Sequence, residues 1–314
     1  MSILLLLLGL LSIVMAAHGF TTLLDRVADR FGLQESVVGS LVAAVATALP
    51  ETIIPLLAVG VQQAPAVGLG AAVGATLMLS TLTMGLLGVA GVLMRGPQAR
   101  LSGSVAAKQD IRLFLAATLY GALLLVLPWH TALVRQLEVL PFGIAYGWRV
   151  VVLLKMSGTA ALEPPDKVAN HSGSITWLLL GLLFFLLLML GGSALFVDQV
   201  QVIARIQHLS PLILALLVSP IATELPEKLN SVLWLRRGKD QTALGNITGA
   251  MAYQSCILTG INVAGGAWQA GPELLKALCI TIVAGFLLLW QRSWSVLTLS
   301  AMSLLYGLFW MWCL

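Results

Sequence analysis

The sequence predicts an all-α, polytopic membrane protein with ten transmembrane helices, arranged as two inverted five-helix repeats. Three observations predict this fold. Of the 314 residues, 59% are hydrophobic and 10% are charged, whereas soluble domains carry about a quarter charged residues. Apolar runs of about 20 residues, the length that crosses a bilayer, recur along the chain. One segment also occurs twice, once in each half of the chain.

Ten apolar segments define the predicted helices. A short amphipathic stretch, residues 21–33, separates the first two. The longest polar break is a predicted cytoplasmic loop, 157–173, between a first repeat (1–156) and a second repeat (174–314). The segments are 2–17, 36–59, 66–94, 110–128, 137–156, 174–192, 209–235, 241–266, 272–290 and 293–313.

The first segment allows an alternative interpretation. Residues 1–17 have the length of a secretory signal peptide, but they lack the positively charged residues that precede the apolar core of such peptides. The internal repeat also requires this segment as its first helix. We therefore expect it to be a transmembrane helix.

The distribution of Lys and Arg predicts the orientation in the cell membrane, inner or plasma. With the N-terminus outside, cytoplasmic loops hold 13 of the 17 cations, Arg149 among them; the opposite loops hold three, and Lys228 lies within a segment. Because cytoplasmic loops carry the excess of positive charge, we expect both termini outside. The apolar runs are expected to lie in the lipid bilayer, and the cations lie in the short loops between them. The net charge of +4 does not indicate nucleic-acid binding.

An internal repeat relates the two halves. Residues 27–51 and 203–227 align without gaps at an offset of 176, and each ends in Ala-Thr-x-Leu-Pro-Glu. Each half contains five predicted helices, an odd number, so the second copy enters the membrane from the opposite side. Inverted repeats of this kind occur in many secondary transporters, whose ion sites lie near the middle of the bilayer where the halves meet.

The two motif prolines are expected to break their helices at such a site. Pro50 and Pro226 each lack an N–H, so the carbonyl four residues earlier, on Ala46 or Ala222, is left without its helical partner. Free carbonyls at mid-membrane are tolerated only where protein or a water-filled cavity satisfies them. A bound cation would also satisfy them.

The motif threonines and glutamates complete a set of oxygen ligands. Thr47 and Thr223 offer hydroxyl groups, and Glu51 and Glu227 offer carboxylates one helical turn later on the same face. Calcium takes six to eight such oxygens, and an uncompensated charge at the bilayer centre costs about 2.5–3.5 kcal/mol. We therefore predict a metal site for a transported Ca²⁺ at the glutamates. The threonines have an alternative role, hydrogen bonding to their own helices.

Other polar residues of the second half allow two interpretations each. Glu224 stands four residues before Lys228, the favourable order for an ion pair within a helix, so it is either a counter-ion or a cation ligand. Asn246 and Gln254 either bind the cation or link helices by hydrogen bonds. The glycine-rich stretches 68–74 and 245–249 are expected to be packing faces at least, because small residues let membrane helices approach closely.

The paired segments resemble the α-repeats of the cation/calcium antiporter family, which comprises the sodium/calcium exchangers and their proton-coupled relatives. In that family each half carries Gly-Thr-Ser-Leu-Pro-Glu followed by Gly-Asn-x-x-Gly-Ser-Asn. The resemblance covers both halves in the same order, with a first α-repeat at 36–94 and a second at 209–266. It implies a sodium/calcium exchanger-like fold in which helices 2, 3, 7 and 8 form the site and helices 1 and 6 gate it.

By this resemblance, Glu51 and Glu227 correspond to the paired glutamates that bind calcium, and Thr47 and Thr223 to the threonines that also supply ligands. The chain is closest in pattern to a divergent prokaryotic branch of the family, because several motif positions differ. Those positions are the motif glycines (Ala46, Ala222), the motif serines (Ala48, Glu224) and the first copy's asparagine (Ala71), whereas Asn246 and Gln254 keep amides in the second copy. The pocket is therefore expected to be asymmetric, and the coupling ion stays open.

These features predict a secondary active transporter that moves calcium, or a similar divalent cation, outward against sodium or protons by alternating access. Inorganic cations are the expected partners, no cofactor is expected, and we expect a monomer. A cation channel and an intramembrane enzyme are the alternatives. Asp110, Asp198 and Asp240 lie at predicted segment ends, which disfavours an aspartyl protease, and a His-Glu-x-x-His zinc motif is absent from the sequence. We therefore do not expect an enzyme.

Overall fold

The computed structural model describes residues 2–30, 48–127, 131–157, 175–291 and 293–313. Within these ranges the regular structure is helical apart from one two-stranded sheet, which confirms the all-α class. Five helical spans in this part of the chain are long and apolar enough to cross a membrane. They are Ser2–Leu24, Pro65–Arg95, Ile175–Ile206, Pro272–Trp290 and Val296–Cys313.

The helices follow the predicted apolar segments closely. A π-helical turn, Leu79–Thr83, joins the helices Pro65–Met78 and Met84–Arg95 into one continuous span. Two short strands, β1 (Arg100–Leu101) and β2 (Trp294–Ser295), pair antiparallel. The helices are α1 (Ser2–Arg30), α2 (Leu49–Gly60), α3 (Pro65–Met78), α4 (Met84–Arg95), α5 (Val105–Leu124), α6 (Ala132–Ser157), α7 (Ile175–Ile206), α8 (Pro211–Thr223), α9 (Leu225–Arg236), α10 (Asp240–Ala264), α11 (Pro272–Trp290) and α12 (Val296–Cys313).

Three predicted segments differ from the observed helices, one of them 174–192, which ends well before the end of α7 at Ile206. The run 2–17 and the start of the amphipathic stretch after it form one helix, α1, because no proline interrupts them. Conversely, the predicted segment 209–235 is two helices, α8 and α9, which meet at Glu224. This interruption lies two residues before Pro226, which cannot donate a hydrogen bond to the carbonyl four residues earlier.

The predicted places of Asp110, Asp198 and Arg149 are wrong, and Asp198 lies inside α7 rather than at a segment end. Asp110 lies inside α5 rather than at a segment end, and Arg149 lies inside α6 rather than in a cytoplasmic loop. Both side chains are buried, and Arg149 Nε lies 2.6 Å from Asp110 Oδ1. Hydropathy places the start of a segment at Asp110, whereas Arg149 falls inside segment 137–156 and is counted with the loop cations, so the ion pair is overlooked.

Helices α1 and α7 pack against each other along an apolar interface. Gly9 and Gly192 lie at a close approach of the two backbones, and a Cβ on Gly9 would lie 3.0 Å from the Gly192 carbonyl oxygen. One hydrophobic cluster contains Ile13 of α1, Phe196 of α7 and Ile54 of α2. This cluster connects the α1–α7 pair to the helix that carries the first motif glutamate.

Helices α3 and α8 pack through glycine. A Cβ on Gly70 or Gly74 would overlap the carbonyl oxygens of Leu212 and Leu216 in α8. The glycine-rich stretch 68–74 is therefore a packing face, as its small residues predict. This contact brings the helix that precedes Glu224 against the centre of the first half of the chain.

An ion pair joins the two halves at one end of the helices. Arg95, the last residue of α4, donates to both carboxylate oxygens of Asp240, at 2.7 and 2.9 Å, and to the carbonyl of Leu235 at 2.8 Å. The Ser102 N–H also donates to Asp240. The ends of α4, α9 and α10 are therefore held together by charge-assisted hydrogen bonds, which are stronger than neutral ones.

Candidate cation-binding site

A cavity of about 260 Å³ lies between α2, α5, α6, α9 and α10. Both halves of the chain contribute to it, and its lining combines acidic, basic and amide side chains. The polar residues that line it are Glu51, Asp110, Tyr146, Arg149, Lys228, Asn246, Tyr253 and Gln254. A concave site with convergent polar groups in an apolar protein is the expected form of a small-ligand site.

Glu51 places a carboxyl group at this cavity. It lies in the first turn of α2, directly after Pro50, and only 6% of it is exposed. Proline is well tolerated in a first turn, where the N–H has no helical partner in any case, and a helix N-terminus stabilises a nearby carboxylate. Local backbone chemistry therefore favours a negative charge at this position.

Glu224 brings the second motif copy to the same place. The side chain lies at the junction of α8 and α9, is fully buried, and lies close enough to the Glu51 carboxyl group for the two to interact. Gln254 donates a hydrogen bond to Glu224 Oε1, and Lys228 Nζ lies 3.7 Å from Glu224 Oε2. The predicted ion pair with Lys228 is therefore present. The same Glu224 carboxyl group also interacts with Glu51, the predicted cation ligand of the first motif copy.

Two further candidates make contacts within the protein. Thr223 is buried and donates to the carbonyl of Ser219 in its own helix, at 3.1 Å. This is the plain alternative that the sequence allows for a membrane threonine. Asn246 lines the cavity and donates to Ser231 Oγ at 3.0 Å.

The remaining predicted residues are described only in part. Thr47 lies outside the described residues. Pro226 and Glu227 belong to the first turn of α9, and their side chains lie outside the described part of the structure. Their proposed ligand and helix-breaking roles therefore stay predictions, although Glu227 occupies the position in α9 that Glu51 occupies in α2, directly after a proline in the first turn.

The cavity contains a second charged cluster, which the sequence does not predict. Arg149 is 5% exposed and donates to Asp110 and to the carbonyl of Ala106, at 2.6 and 3.1 Å. Thr248 Oγ1 donates to the second Asp110 oxygen at 3.2 Å. The cluster joins α5, α6 and α10, whose residues are far apart in sequence, so no motif or local spacing could have revealed it.

The second glycine-rich stretch differs from the first. Gly245 and Gly249 line the cavity, and a Cβ built on either would meet no atom within 4 Å. The prediction that both stretches pack helices together therefore holds for 68–74, whereas these two glycines keep space open beside Asn246. The small glycine residues allow close helix packing in the first half of the chain, and they leave cavity volume free in the second half.

A helical membrane fold with a polar cavity that residues from both halves line is the form that membrane transporters take. The sequence matches the sodium/calcium exchanger protein family over residues 1–153 and 177–314, and the chain belongs to this family. It is therefore a multi-pass membrane antiporter of the cation/calcium class rather than an enzyme, as the sequence predicts.

Known relatives and solved structures agree with this assignment. The chain is 24% identical to the inner membrane protein YrbG of Escherichia coli K12, over 92% of this chain and 89% of that protein. It is 27% identical to the putative antiporter CaxA of Alkalimonas amylolytica, over 81% and 78%.

Two solved exchangers share the fold. The crystal structure of the H⁺/Ca²⁺ exchanger CAX has a TM-score of 0.77 at 16% identity, over 99% of this chain and 82% of that one. A structure of the sodium-calcium exchanger NCX_Mj has a TM-score of 0.58 at 21% identity, over 98% of both chains.

Proposed function

We propose that this antiporter exports calcium, or a similar divalent cation, in exchange for sodium or protons. The observation that carries the proposal is the approach of Glu51 and Glu224, one from each motif copy, beside the cavity that Glu51, Lys228 and Gln254 line. Two neighbouring carboxylates disfavour each other's ionisation, and a divalent cation bound between them removes that repulsion. Carboxylates are also the ligands that calcium prefers.

The proposed ligand set extends beyond this pair. Glu51 and Glu227 are the principal metal ligands, and Glu224 adds a third carboxylate. The backbone carbonyls released by Pro50 and Pro226 supply further oxygens. The remaining oxygens come from the side chains of Thr47, Thr223, Asn246 and Gln254.

The contact between Glu51 and Glu224 favours protons as a coupling ion. Two neighbouring carboxylates repel each other, and a proton on one of them removes that repulsion and allows a hydrogen bond between them. A metal ion that binds both carboxylates must displace that proton, so binding of the two ions is mutually exclusive at this pair. Mutual exclusion at one site is the requirement for coupled exchange; sodium, the other candidate, would compete for the same oxygens.

The helices fit ten membrane crossings in two inverted repeats, which we propose as the topology. The α3–α4 span and the α8–α9 pair each count as one crossing, and α2 together with the residues before it counts as another. The remaining helices, α1, α5, α6, α7, α10, α11 and α12, contribute one crossing each. Both termini then lie outside, and α1 and α7 occupy the places of helices 1 and 6, the proposed gating pair.

The cavity is reached from the side of the membrane that holds most of the Lys and Arg residues. Asp110 and Gly245 each lie five residues after the start of their helices, at Val105 and Asp240, and therefore about 7.5 Å from those helix ends. The loops at these ends are among those with the excess of cations, so we assign this side to the cytoplasm. Alternating access then requires the α1–α7 pair to move and open a path from the opposite side.

Calcium flux into reconstituted vesicles tests the proposed function. We expect calcium uptake to require an opposing gradient of protons or sodium, each imposed separately with the membrane potential clamped. Uptake that follows the calcium gradient alone, with no dependence on either counter-gradient, would show a channel and contradict the proposal.

Enlarging a cavity glycine is expected to block transport without unfolding the protein. A leucine in Gly249→Leu would project into open space beside Asn246, so we expect roughly tenfold slower calcium exchange and an unchanged melting temperature. Gly74→Leu is the matched control, because its side chain would collide with α8, and overpacking of this kind costs about 1–3 kcal/mol or more. A Gly249→Leu protein that transports normally would show that the cavity is not the ion path.

A further inference from the structure

Glu224 and Lys228 are charged residues that only the second motif copy contains. At the repeat offset of 176, Ala48 stands in place of Glu224 and Thr52 in place of Lys228. In the first copy, the residue at the position of Lys228 makes a neutral hydrogen bond instead, since Thr52 Oγ1 lies 2.7 Å from the Tyr253 hydroxyl oxygen. One half of the site therefore carries a carboxylate and an ammonium group where the other half has an alanine and a threonine.

The ammonium group of Lys228 lies within the candidate cation site. The lysine lines the same cavity as Glu51, only 5% of it is exposed, and Nζ lies 3.7 Å from the fully buried Glu224 carboxylate. Long cationic side chains at membrane-helix ends ordinarily extend to the interface, whereas this one is enclosed by protein. Its charge therefore acts on any ion bound at Glu51 and Glu224.

We propose that Lys228 is a resident cation of the binding pocket, which replaces one of the ions that three carboxylates would otherwise require. This inference rests on the proposed function, in which Glu51, Glu224 and Glu227 face the transported ion. Their three negative charges together with one ammonium group leave a net charge of −2, which a single divalent cation neutralises. The pocket can then load a divalent ion without an accompanying monovalent ion.

Calcium affinity in the purified protein tests the charge balance, because the two single substitutions have opposite expected effects. Glu224→Gln leaves too little negative charge, and we expect its calcium Kd to rise roughly tenfold, whereas Lys228→Met leaves too much, and we expect its Kd to fall roughly tenfold. The double variant keeps the balance and is expected to remain within about threefold of the unmodified protein. The measurement is calorimetric titration with calcium chloride at one fixed pH.

A purely structural ion pair would give a different pattern. In that case the folded single variants would bind calcium with unchanged affinity, or both would bind more weakly, and either result would overturn the proposal. If Lys228→Met does not fold, the comparison of Glu224→Gln with the double variant still isolates the lysine, since removing it should then tighten binding roughly tenfold. Tighter binding in this background supports the proposal, and equal or weaker binding contradicts it.

The controls separate this inference from the proposed function. Lys276→Met removes a cation that lies outside the cavity and donates to the Trp312 carbonyl, so its calcium Kd should not change. An unmodified protein that binds no calcium would overturn the proposed function itself. Calcium binding in the unmodified protein without the opposite shifts would overturn only the role of Lys228.

Discussion

Glu51→Gln is expected to reduce calcium exchange by about a hundredfold, which corresponds to about 2.8 kcal/mol, and Glu227→Gln is expected to do the same. Glutamine keeps the size of the side chain but has only one ligand oxygen and no charge. The affinity of a calcium site depends strongly on the number of charged ligands. The measurement is the initial rate of calcium uptake into vesicles under the counter-gradient that drives the unmodified protein.

The same substitution elsewhere provides the control. Glu273 lies in the first turn of α11 and does not line the cavity, so Glu273→Gln should transport at the rate of the unmodified protein. Gel filtration and the melting temperature in detergent should show that all three variants fold. Normal exchange in both Glu51→Gln and Glu227→Gln would remove the basis of the site assignment.

Asp110→Asn is expected to lower the free energy of unfolding by about 3–5 kcal/mol, because it leaves the buried Arg149 guanidinium without its counter-charge. Arg149→Met is expected to have a similar cost for the opposite reason, since it strands the carboxylate. The double variant should recover most of the loss, because an uncharged pair needs no compensation. Unfolding in mixed micelles of detergent and dodecyl sulfate measures these differences.

An exposed aspartate calibrates this experiment. Asp198 on α7 is exposed and accepts a hydrogen bond from Gln62 at 3.0 Å, and exposed substitutions ordinarily change stability by about 0.5 kcal/mol or less. Asp198→Asn should therefore be much milder than Asp110→Asn. If the two variants are equally stable, the Asp110–Arg149 pair does not form as the structure shows it.

Local chemistry made part of the fold and site predictable from sequence. Apolar length located most of the helices, and Pro226 predicted the interruption of the seventh apolar segment because a missing N–H acts on the same helix. The i, i+4 spacing likewise predicted the pair of Glu224 and Lys228. In each case the cause and its effect lie within one helical turn.

Features that depend on three-dimensional contacts were not predictable in this way. The contact of Glu51 with Glu224 depends on how α2 meets the α8–α9 junction, and the repeat predicted only that the two motifs would approach. The pair of Asp110 and Arg149 depends on the packing of α5 against α6. The different use of the two glycine-rich stretches follows from which side of each helix meets a neighbour, and composition does not encode that.

The ion pair between Arg95 and Asp240 has a mechanical consequence. It ties α4 to α10, and Arg95 also donates to the carbonyl of Leu235 in α9. The walls that hold the acidic groups are therefore braced against spreading, whereas the α1–α7 pair meets them through an apolar surface that has few directional bonds. In the proposed mechanism, the helices that this ion pair joins would keep the ligand geometry while only α1 and α7 change position.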